Sequence, residues 1–99
     1  MSASKITLAQ TLSGDWVITI ENPFEDGFET EIARFETSAT AAGSPAFNTL
    51  IECAAACANR MARTLGDCKL KVSSHSAANR EWMIGQVNRQ RIAKVIPII

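Results

Sequence analysis

The residues most able to do metal or thiol chemistry are three cysteines and one histidine. They follow the spacing Cys-x3-Cys-x10-Cys-x6-His, through Cys53, Cys57, Cys68 and His75. Structural zinc sites use two close pairs of ligands, and this spacing matches none of their common patterns. An odd number of cysteines also cannot close a disulfide framework. We therefore interpret the cysteines as small apolar residues packed under a sheet, and we predict neither a metal nor a cofactor.

His75 is the next candidate, because histidine titrates near neutral pH and can transfer protons. Its neighbours Ser73, Ser74 and Ser76 could each supply a hydroxyl group. These side chains lie too close in sequence to form a nucleophile, a base and an orienting group by themselves. A distant acid would have to complete the set, and the sequence does not place one. We therefore assign no catalytic residue and expect a protein that is not an enzyme.

Five carboxylates within eleven residues, with no base among them, form what we call the acidic patch: Glu21, Glu25, Asp26, Glu29 and Glu31. A calcium-binding loop would place Asp or Asn at every second position and end with a glutamate, and this segment does neither. Two interpretations remain. The patch is either a solvated hairpin or a surface that binds a basic protein partner.

The charge of the whole chain is zero, but its two parts differ. Residues 1–59 carry eight acids and two bases, a net charge of −6, whereas residues 60–99 carry eight bases and two acids, a net charge of +6. Six of these bases could contact phosphates: Lys69, Lys71, Arg80, Arg89, Arg91 and Lys94. Nucleic-acid binders usually add aromatic platforms, and this part of the chain offers only Trp82. Nucleic-acid binding is therefore the alternative to protein binding, and pairing of these bases with the acidic patch would exclude both.

Length and composition limit the organisation of the chain. Ninety-nine residues predict a single domain, and 46% apolar with 20% charged residues is typical of a globular protein. The first ten residues lack the apolar run of a secretory signal, and no apolar stretch approaches the roughly 20 residues of a membrane helix. We expect a cytoplasmic protein without membrane contact.

Alternating apolar residues predict three strands in the first third of the chain. Ile6, Leu8 and Leu12 mark the first strand, and a turn at residues 13–15 leads to the second, which covers residues 16–21. Residues 22–27 contain proline, asparagine and glycine and predict a loop. The third strand covers about residues 28–36, and its apolar side switches near Ile32 and Ala33, which indicates either a β-bulge or burial on both sides of the strand. These strands form an antiparallel meander.

The rest of the chain predicts helices and one or two further strands. Apolar residues recur at spacings of three and four from Phe47 to Leu65, so a long helix starts at Ser44-Pro45, or at a capping box of Thr49 and Glu52, and ends at Gly66. A fourth strand follows at residues 68–72, with a basic outer side, and a second helix at residues 77–90. Residues 92–99 suit a strand at the sheet edge. The fold class is α+β, with one sheet covered by helices, and the edge strand makes a homodimer possible.

A three-strand meander, a long helix with Glu52 near its start, and a fourth strand with His75 just beyond its end resemble the ribonuclease H-like core. In that family three carboxylates hold two metal ions, and the resemblance places Glu52 at the second and His75 at the third of these positions. The first strand supplies no acid, so the resemblance implies a degenerate core that lacks two of three ligands. A degenerate hydrolase is therefore the third possible function.

We expect above all a small non-enzymatic interaction module that binds a basic protein surface through the acidic patch. Small regulators and inhibitors, including those of phages and mobile elements, fit this description by analogy.

Overall fold

The computed structural model of the chain describes residues 5–21, 29–64 and 69–95, the last five of these as backbone only. Within these ranges four strands and two long helices form an α+β fold, as the sequence predicts. The elements are β1 (Lys5–Gln10), β2 (Trp16–Glu21), β3 (Glu29–Phe35), α1 (Pro45–Thr64), β4 (Lys69–Ser73) and α2 (Ala77–Val95). A short 3₁₀ turn, Thr37–Ala39, precedes α1 in a segment for which the sequence predicts no structure.

The four strands form one mixed sheet in the order β3-β2-β1-β4. The predicted meander is confirmed, because β1 pairs antiparallel with β2 and β2 pairs antiparallel with β3. The fourth strand pairs with β1 in parallel, so that Lys5 lies beside Lys69 and Leu8 beside Val72. A parallel pair needs a long crossover connection, and α1 supplies it between β3 and β4. The sequence pattern identifies β4 but does not predict its partner or its direction.

The predicted bulge lies at Ile32. Ala33 pairs with Ile18, but the next residue of β2, Thr19, pairs with Glu31, so Ile32 is the extra residue of β3. One inserted residue shifts the alternation of side chains along the strand. The bulge therefore explains why apolar residues change sides in this segment, and it leaves Ile32 41% exposed.

The long helix begins at Pro45, which confirms the first of its two predicted starts. The Ser44 hydroxyl accepts a hydrogen bond from the Phe47 amide (3.2 Å), and the Ser44 carbonyl accepts one from Asn48 (2.9 Å). Proline fits the first helical position because the amide hydrogen that it lacks would have no partner there. The alternative start is wrong, since Thr49 lies inside the helix and donates to the Pro45 carbonyl (2.9 Å).

Both helices pack on the same side of the sheet, where they form the core. The sheet contributes large apolar side chains, among them Ile6, Leu8, Trp16 and Ile18. The central part of α1 contributes alanines, and Ala54, Ala55 and Ala58 are fully buried. Alanine on this stripe of the helix allows its backbone to lie close to the sheet.

The second helix is fixed to the first by one buried polar contact and two apolar side chains. Asn59 on α1 is buried, and its side-chain amide donates to the Val87 carbonyl on α2 (3.1 Å). Met83 and Val87 join the core, whereas Trp82 is 41% exposed and stacks on Phe47 with ring centroids 6.2 Å apart. Met83 and Val87 are therefore the apolar residues that anchor α2 in the core.

Three predictions about single segments need correction. Leu12 is 88% exposed because β1 ends at Gln10 and Leu12 lies in the following turn. Cys53 is exposed on α1 rather than packed under the sheet, and Cys57 is only partly buried. Residues 92–95 continue α2 instead of starting a strand, because helical periodicity outweighs their β-branched composition.

Several other predicted features lie outside the described residues. These are the loop of residues 22–27 with Glu25 and Asp26, the helix end at Gly66, Cys68, and the strand of residues 96–99. They stay predictions.

A buried carboxylate ties the β1–β2 turn to the 3₁₀ turn. Asp15 accepts hydrogen bonds from the Ser38 hydroxyl, from the Ser38 amide (3.1 Å) and from Arg34 Nη1 (3.1 Å). Beside it, the Thr37 hydroxyl donates to the Gly14 carbonyl (2.6 Å). The two Ser38 donors, and then Arg34, hold the pKa of Asp15 below its ordinary value. The sequence predicts Asp15 as a turn residue but not these contacts, which span 23 residues.

This lowered pKa predicts how stability depends on pH. The folded state binds the Asp15 proton less well than the unfolded state, so the contribution of Asp15 is complete above the unfolded pKa of about 4 and is lost as the pH falls through the lower folded value. Asp15→Asn should therefore lower the melting temperature most at neutral pH and progressively less below about pH 4. Thermal unfolding followed by circular dichroism measures this difference.

The control for this prediction is Glu52→Gln, which removes one charge from an exposed site on α1. It should leave the melting temperature nearly unchanged at neutral pH. A deficit of Asp15→Asn that stays the same at every pH would contradict the role of the ionised carboxylate.

Candidate protein-binding face

The side of the sheet opposite the helices carries no element of the part of the chain that the structure describes. Successive side chains of a strand point to opposite sides, so the residues between the core positions lie on this side. We call it the open face. Its residues are Lys5, Thr7, Ala9, Val17, Thr19, Glu21, Glu29, Glu31, Arg34, Lys69, Lys71 and Ser73.

Charge on the open face is ordered across the strands. The strand register places these residues in three rows that run from β4 through β1 and β2 to β3. The rows are Lys69–Lys5–Glu21–Glu29, then Lys71–Thr7–Thr19–Glu31, and then Ser73–Ala9–Val17–Arg34. In the first two rows the β4 margin is basic, the β3 margin is acidic and the central residues of the second row are small and neutral. The open face therefore has an electrical polarity that the sequence alone does not reveal.

Two members of the acidic patch form ion pairs with bases of their own half of the chain. Lys5 Nζ lies 3.8 Å from Glu21 Oε2, and both side chains are more than a third exposed. Arg34 donates two hydrogen bonds to Glu31, at 2.9 and 3.2 Å, in an exposed bidentate pair. Exposed pairs of this kind contribute little to stability and stay available to a partner. Glu29 forms no ion pair with any described residue.

The side chain of Glu29 reaches over the centre of the open face. The Thr7 hydroxyl on β1 lies 3.5 Å from Glu29 Oε1, although β2 separates the strands of these two residues. The hydroxyl oxygen of Thr19, on the strand between them, is buried and has no hydrogen-bond partner among the described residues. A buried hydroxyl without a hydrogen-bond partner costs free energy, so the hydrogen-bonding groups at the centre of this face are not all satisfied by the described residues.

The described members of the acidic patch, Glu21, Glu29 and Glu31, form no ion pair with a described base of the second half of the chain. Among the described residues, the ion pairs of that half are limited to Arg80 with Glu81, at 3.7 Å on α2. Lys69 and Lys71 are exposed on β4, and no described acid lies within ion-pair distance of either. The separation of charge in the sequence is therefore preserved on the surface of the described part.

The bases proposed for nucleic-acid contact do not share one surface. Lys69 and Lys71 lie on the open face, because Leu70 and Val72 between them pack toward the core on the other side. Arg80 and Arg89 are exposed on α2, in the layer on that other side of the sheet. The backbone of residues 91 and 94 extends the same helix, while the side chains of Arg91 and Lys94 lie outside the described residues. A phosphate backbone could not contact both groups at once without bending around the sheet edge.

Glu52 and His75 are exposed and belong to different environments. Glu52 lies on α1, where its carbonyl accepts a hydrogen bond from the Gln90 side chain (2.9 Å). His75 lies in the turn between β4 and α2. Beside that turn, Gln10 Oε1 at the end of β1 accepts from the Ser74 hydroxyl (2.6 Å) and from Asn79 Nδ2 (3.0 Å). The groups that these hydrogen bonds join are all neutral.

Two further findings concern metals and membranes. Within residues 5–21, 29–64 and 69–95, no three side chains of histidine, cysteine, aspartate or glutamate are grouped so as to hold a metal ion. Over the same ranges, neither helix is both long and apolar enough to span a lipid bilayer.

Seven residues of the open face were not among the sequence-based candidates: Lys5, Thr7, Ala9, Val17, Thr19, Arg34 and Ser73. Alternation along each strand indicates their side of the sheet, but the position of β4 beside β1 depends on a parallel pairing that alternation does not report. The sequence thus indicates which residues of each strand share a side, but not which strands are neighbours.

Comparisons of the chain with protein-family models, with curated proteins and with solved structures find no match.

Proposed function

We propose that the chain is a small non-enzymatic protein-interaction module of the cytoplasm, and that it binds a basic protein segment at the acidic margin of its open face. The observation that carries this proposal is the position of Glu21, Glu29 and Glu31, which project from neighbouring strands toward the side that no described helix covers. Carboxylates presented together on a rigid sheet attract and orient a basic partner, and they raise its rate of association.

The basic margin limits how a cationic partner can lie on the open face. Lys69 and Lys71 lie two strands away from Glu21 and three from Glu29 and Glu31. They repel a cationic segment that extends over the whole sheet, so such a partner would lie along β2 and β3 rather than across the strands. The division of the bases between the open face and α2 makes a nucleic-acid interface the weaker alternative.

Titration with a lysine-rich peptide at low salt tests the acidic margin. The double variant Glu29→Gln with Glu31→Gln should weaken binding roughly 2- to 30-fold, since each exposed charge pair contributes about 0.2–1 kcal/mol and a factor of ten corresponds to about 1.4 kcal/mol. Physiological salt should weaken the wild type as well, because exposed charges are screened over about 8 Å under that condition. Calorimetry measures both effects.

A matched control separates position from net charge. Glu52→Gln with Glu81→Gln removes the same two charges from exposed sites on the helices. This variant should bind the peptide nearly as well as the wild type. If the two double variants bind alike, or if the wild type does not bind the peptide at low salt, the acidic margin is not the binding site. A duplex DNA of similar length in the same assay tests the nucleic-acid alternative.

A further inference from the structure

The charge pattern of the open face is complementary to itself. Lysines occupy the β4 and β1 side of the first row, and glutamates occupy its β2 and β3 side. A surface with opposite charges at its two margins matches a copy of itself that has been turned around. A foreign basic or acidic segment matches only one margin of this face.

We propose that two copies of the chain associate through their open faces, about a twofold axis that lies between the sheets and runs parallel to the strands. This rotation places β4 of one copy opposite β3 of the other, and β1 opposite β2. Because the axis follows the strand direction, every residue keeps its level along the sheet. Lysines of one copy then face glutamates of the other, in the pairs Lys69–Glu29, Lys71–Glu31 and Lys5–Glu21.

The other possible twofold axis in the plane between the sheets runs perpendicular to the strands. It would place β3 over β3 and β4 over β4, with glutamates facing glutamates and lysines facing lysines. Like charges brought together in an interface are strongly unfavourable. The charges of the open face therefore select one arrangement, and stacked sheets with nearly aligned strands are a common packing geometry.

The centre of the open face is already shielded in the single chain. Thr7 is 7% and Val17 is 6% exposed, and the Thr19 hydroxyl is buried. In the proposed arrangement Thr7 of one copy lies opposite Thr19 of the other, and Ala9 lies opposite Val17. These side chains are small, so the longer lysines and glutamates at the margins can reach each other, and the charged margins make the contact between the copies.

The size of the face predicts a weak, reversible dimer. Four strands spaced about 4.8 Å apart, each about five residues long at roughly 3.3 Å per residue, give a footprint of about 300 Å². Stable complexes bury about 800 Å² per partner. The dimer should therefore form at high protein concentration and dissociate as salt is added.

Sedimentation equilibrium of the purified chain at low salt, from micromolar to millimolar concentration, tests the proposal. The wild type should show a monomer–dimer equilibrium. Glu29→Lys with Glu31→Lys makes both margins basic, and Lys69→Glu with Lys71→Glu makes both margins acidic. Each variant alone should dimerise at least about tenfold more weakly, because four favourable pairs become repulsive.

Mixing the two variants provides the decisive measurement. One variant has two basic margins, and the other has two acidic margins. Their open faces are therefore complementary at both margins, and the equimolar mixture should form a 1:1 dimer that neither variant forms alone. Each variant is first shown to be folded by circular dichroism. If Glu31→Lys disturbs the Arg34 pair and the variant does not fold, the single variants Glu29→Lys and Lys69→Glu replace the two double variants.

Three results would overturn the proposal: a wild type that stays monomeric throughout, variants that dimerise as well as the wild type, or a mixture that does not associate. The inference goes beyond the proposed function, because it requires no foreign partner. A chain that binds the lysine-rich peptide but never dimerises would disprove the dimer alone. A chain that dimerises but ignores the peptide would disprove only the proposed function. Where both hold, peptide and second copy should compete for Glu29 and Glu31.

Discussion

Replacement of Ala58 by leucine should lower the free energy of unfolding by a large part of its total. Ala58 is fully buried on the stripe of α1 that packs against the sheet, and Ala54 and Ala55 beside it leave no space for a larger neighbour. Overpacking a core position typically costs about 1–3 kcal/mol, and sometimes more, out of a total stability of about 5–15 kcal/mol. We expect the higher part of this range, because the extra atoms would push the whole helix away from the sheet. Urea unfolding followed by circular dichroism measures the loss.

Ala46→Leu is the matched control for this prediction, since it adds the same atoms to an exposed position in the first turn of the same helix. Its free energy of unfolding should change by less than about 0.5 kcal/mol. Equal effects of the two substitutions would mean that α1 does not pack through its alanines.

Ile18→Ala should have an effect of similar size for the opposite reason. Ile18 is fully buried at the centre of the sheet, in contact with the core under α1. Truncation of a buried isoleucine to alanine removes apolar contacts, leaves a cavity and costs about 2–5 kcal/mol. In a domain of this size each kcal/mol lowers the melting temperature by about 4–8 °C. Differential scanning calorimetry would detect this change easily.

The neighbouring strand offers a control with identical chemistry. Ile32 is the bulge residue of β3 and is 41% exposed. Ile32→Ala should cost less than about 1 kcal/mol, mainly through the lower strand propensity of alanine. If Ile32→Ala costs as much as Ile18→Ala, the bulge lies elsewhere and the register of β3 is wrong.

Local patterns in the sequence predict most of the elements of this fold. Alternation identifies β1, β2 and β3, and the change of side at Ile32 indicates the bulge, because both signals come from residues within one strand. The start of α1 at Ser44-Pro45 follows from capping chemistry that involves only a few adjacent residues. The extent of α2 is harder to predict, since Ile92 and Val95 are β-branched and the helical state of this segment depends on continuation from the preceding turns.

What local patterns do not predict is the relation between distant segments. Nothing near Lys69 indicates that β4 joins β1 rather than an outer strand, yet this pairing brings Lys5 beside Lys69 and makes one margin of the open face basic. Similarly, Asp15 has the sequence context of a turn residue, whereas its main partners Ser38 and Arg34 come from beyond the next strand. The resemblance to the ribonuclease H-like core stays a prediction, since the comparisons find no protein that tests it.

The candidate site was predicted in part for the same reason. Clustering of acids in the sequence identifies Glu21, Glu29 and Glu31, and the structure places all three on one face. The sequence cannot show that Lys69 and Lys71 share this face while Arg80 and Arg89 lie on the helix layer. That division requires the direction of each side chain relative to the core, which depends on which residues pack under α1 and α2.

The parallel pairing of β1 with β4 also has a consequence for biosynthesis. Paired residues such as Lys5 and Lys69 are 64 positions apart, so β1 gains its second neighbour only after α1 and β4 have been translated. Until then the nascent chain carries an interior strand with one bare edge, and such edges invite aggregation. Completion of the sheet therefore has to wait for β4, and in that interval the growing polypeptide depends on rapid docking of α1, or on a chaperone, to protect its apolar surface.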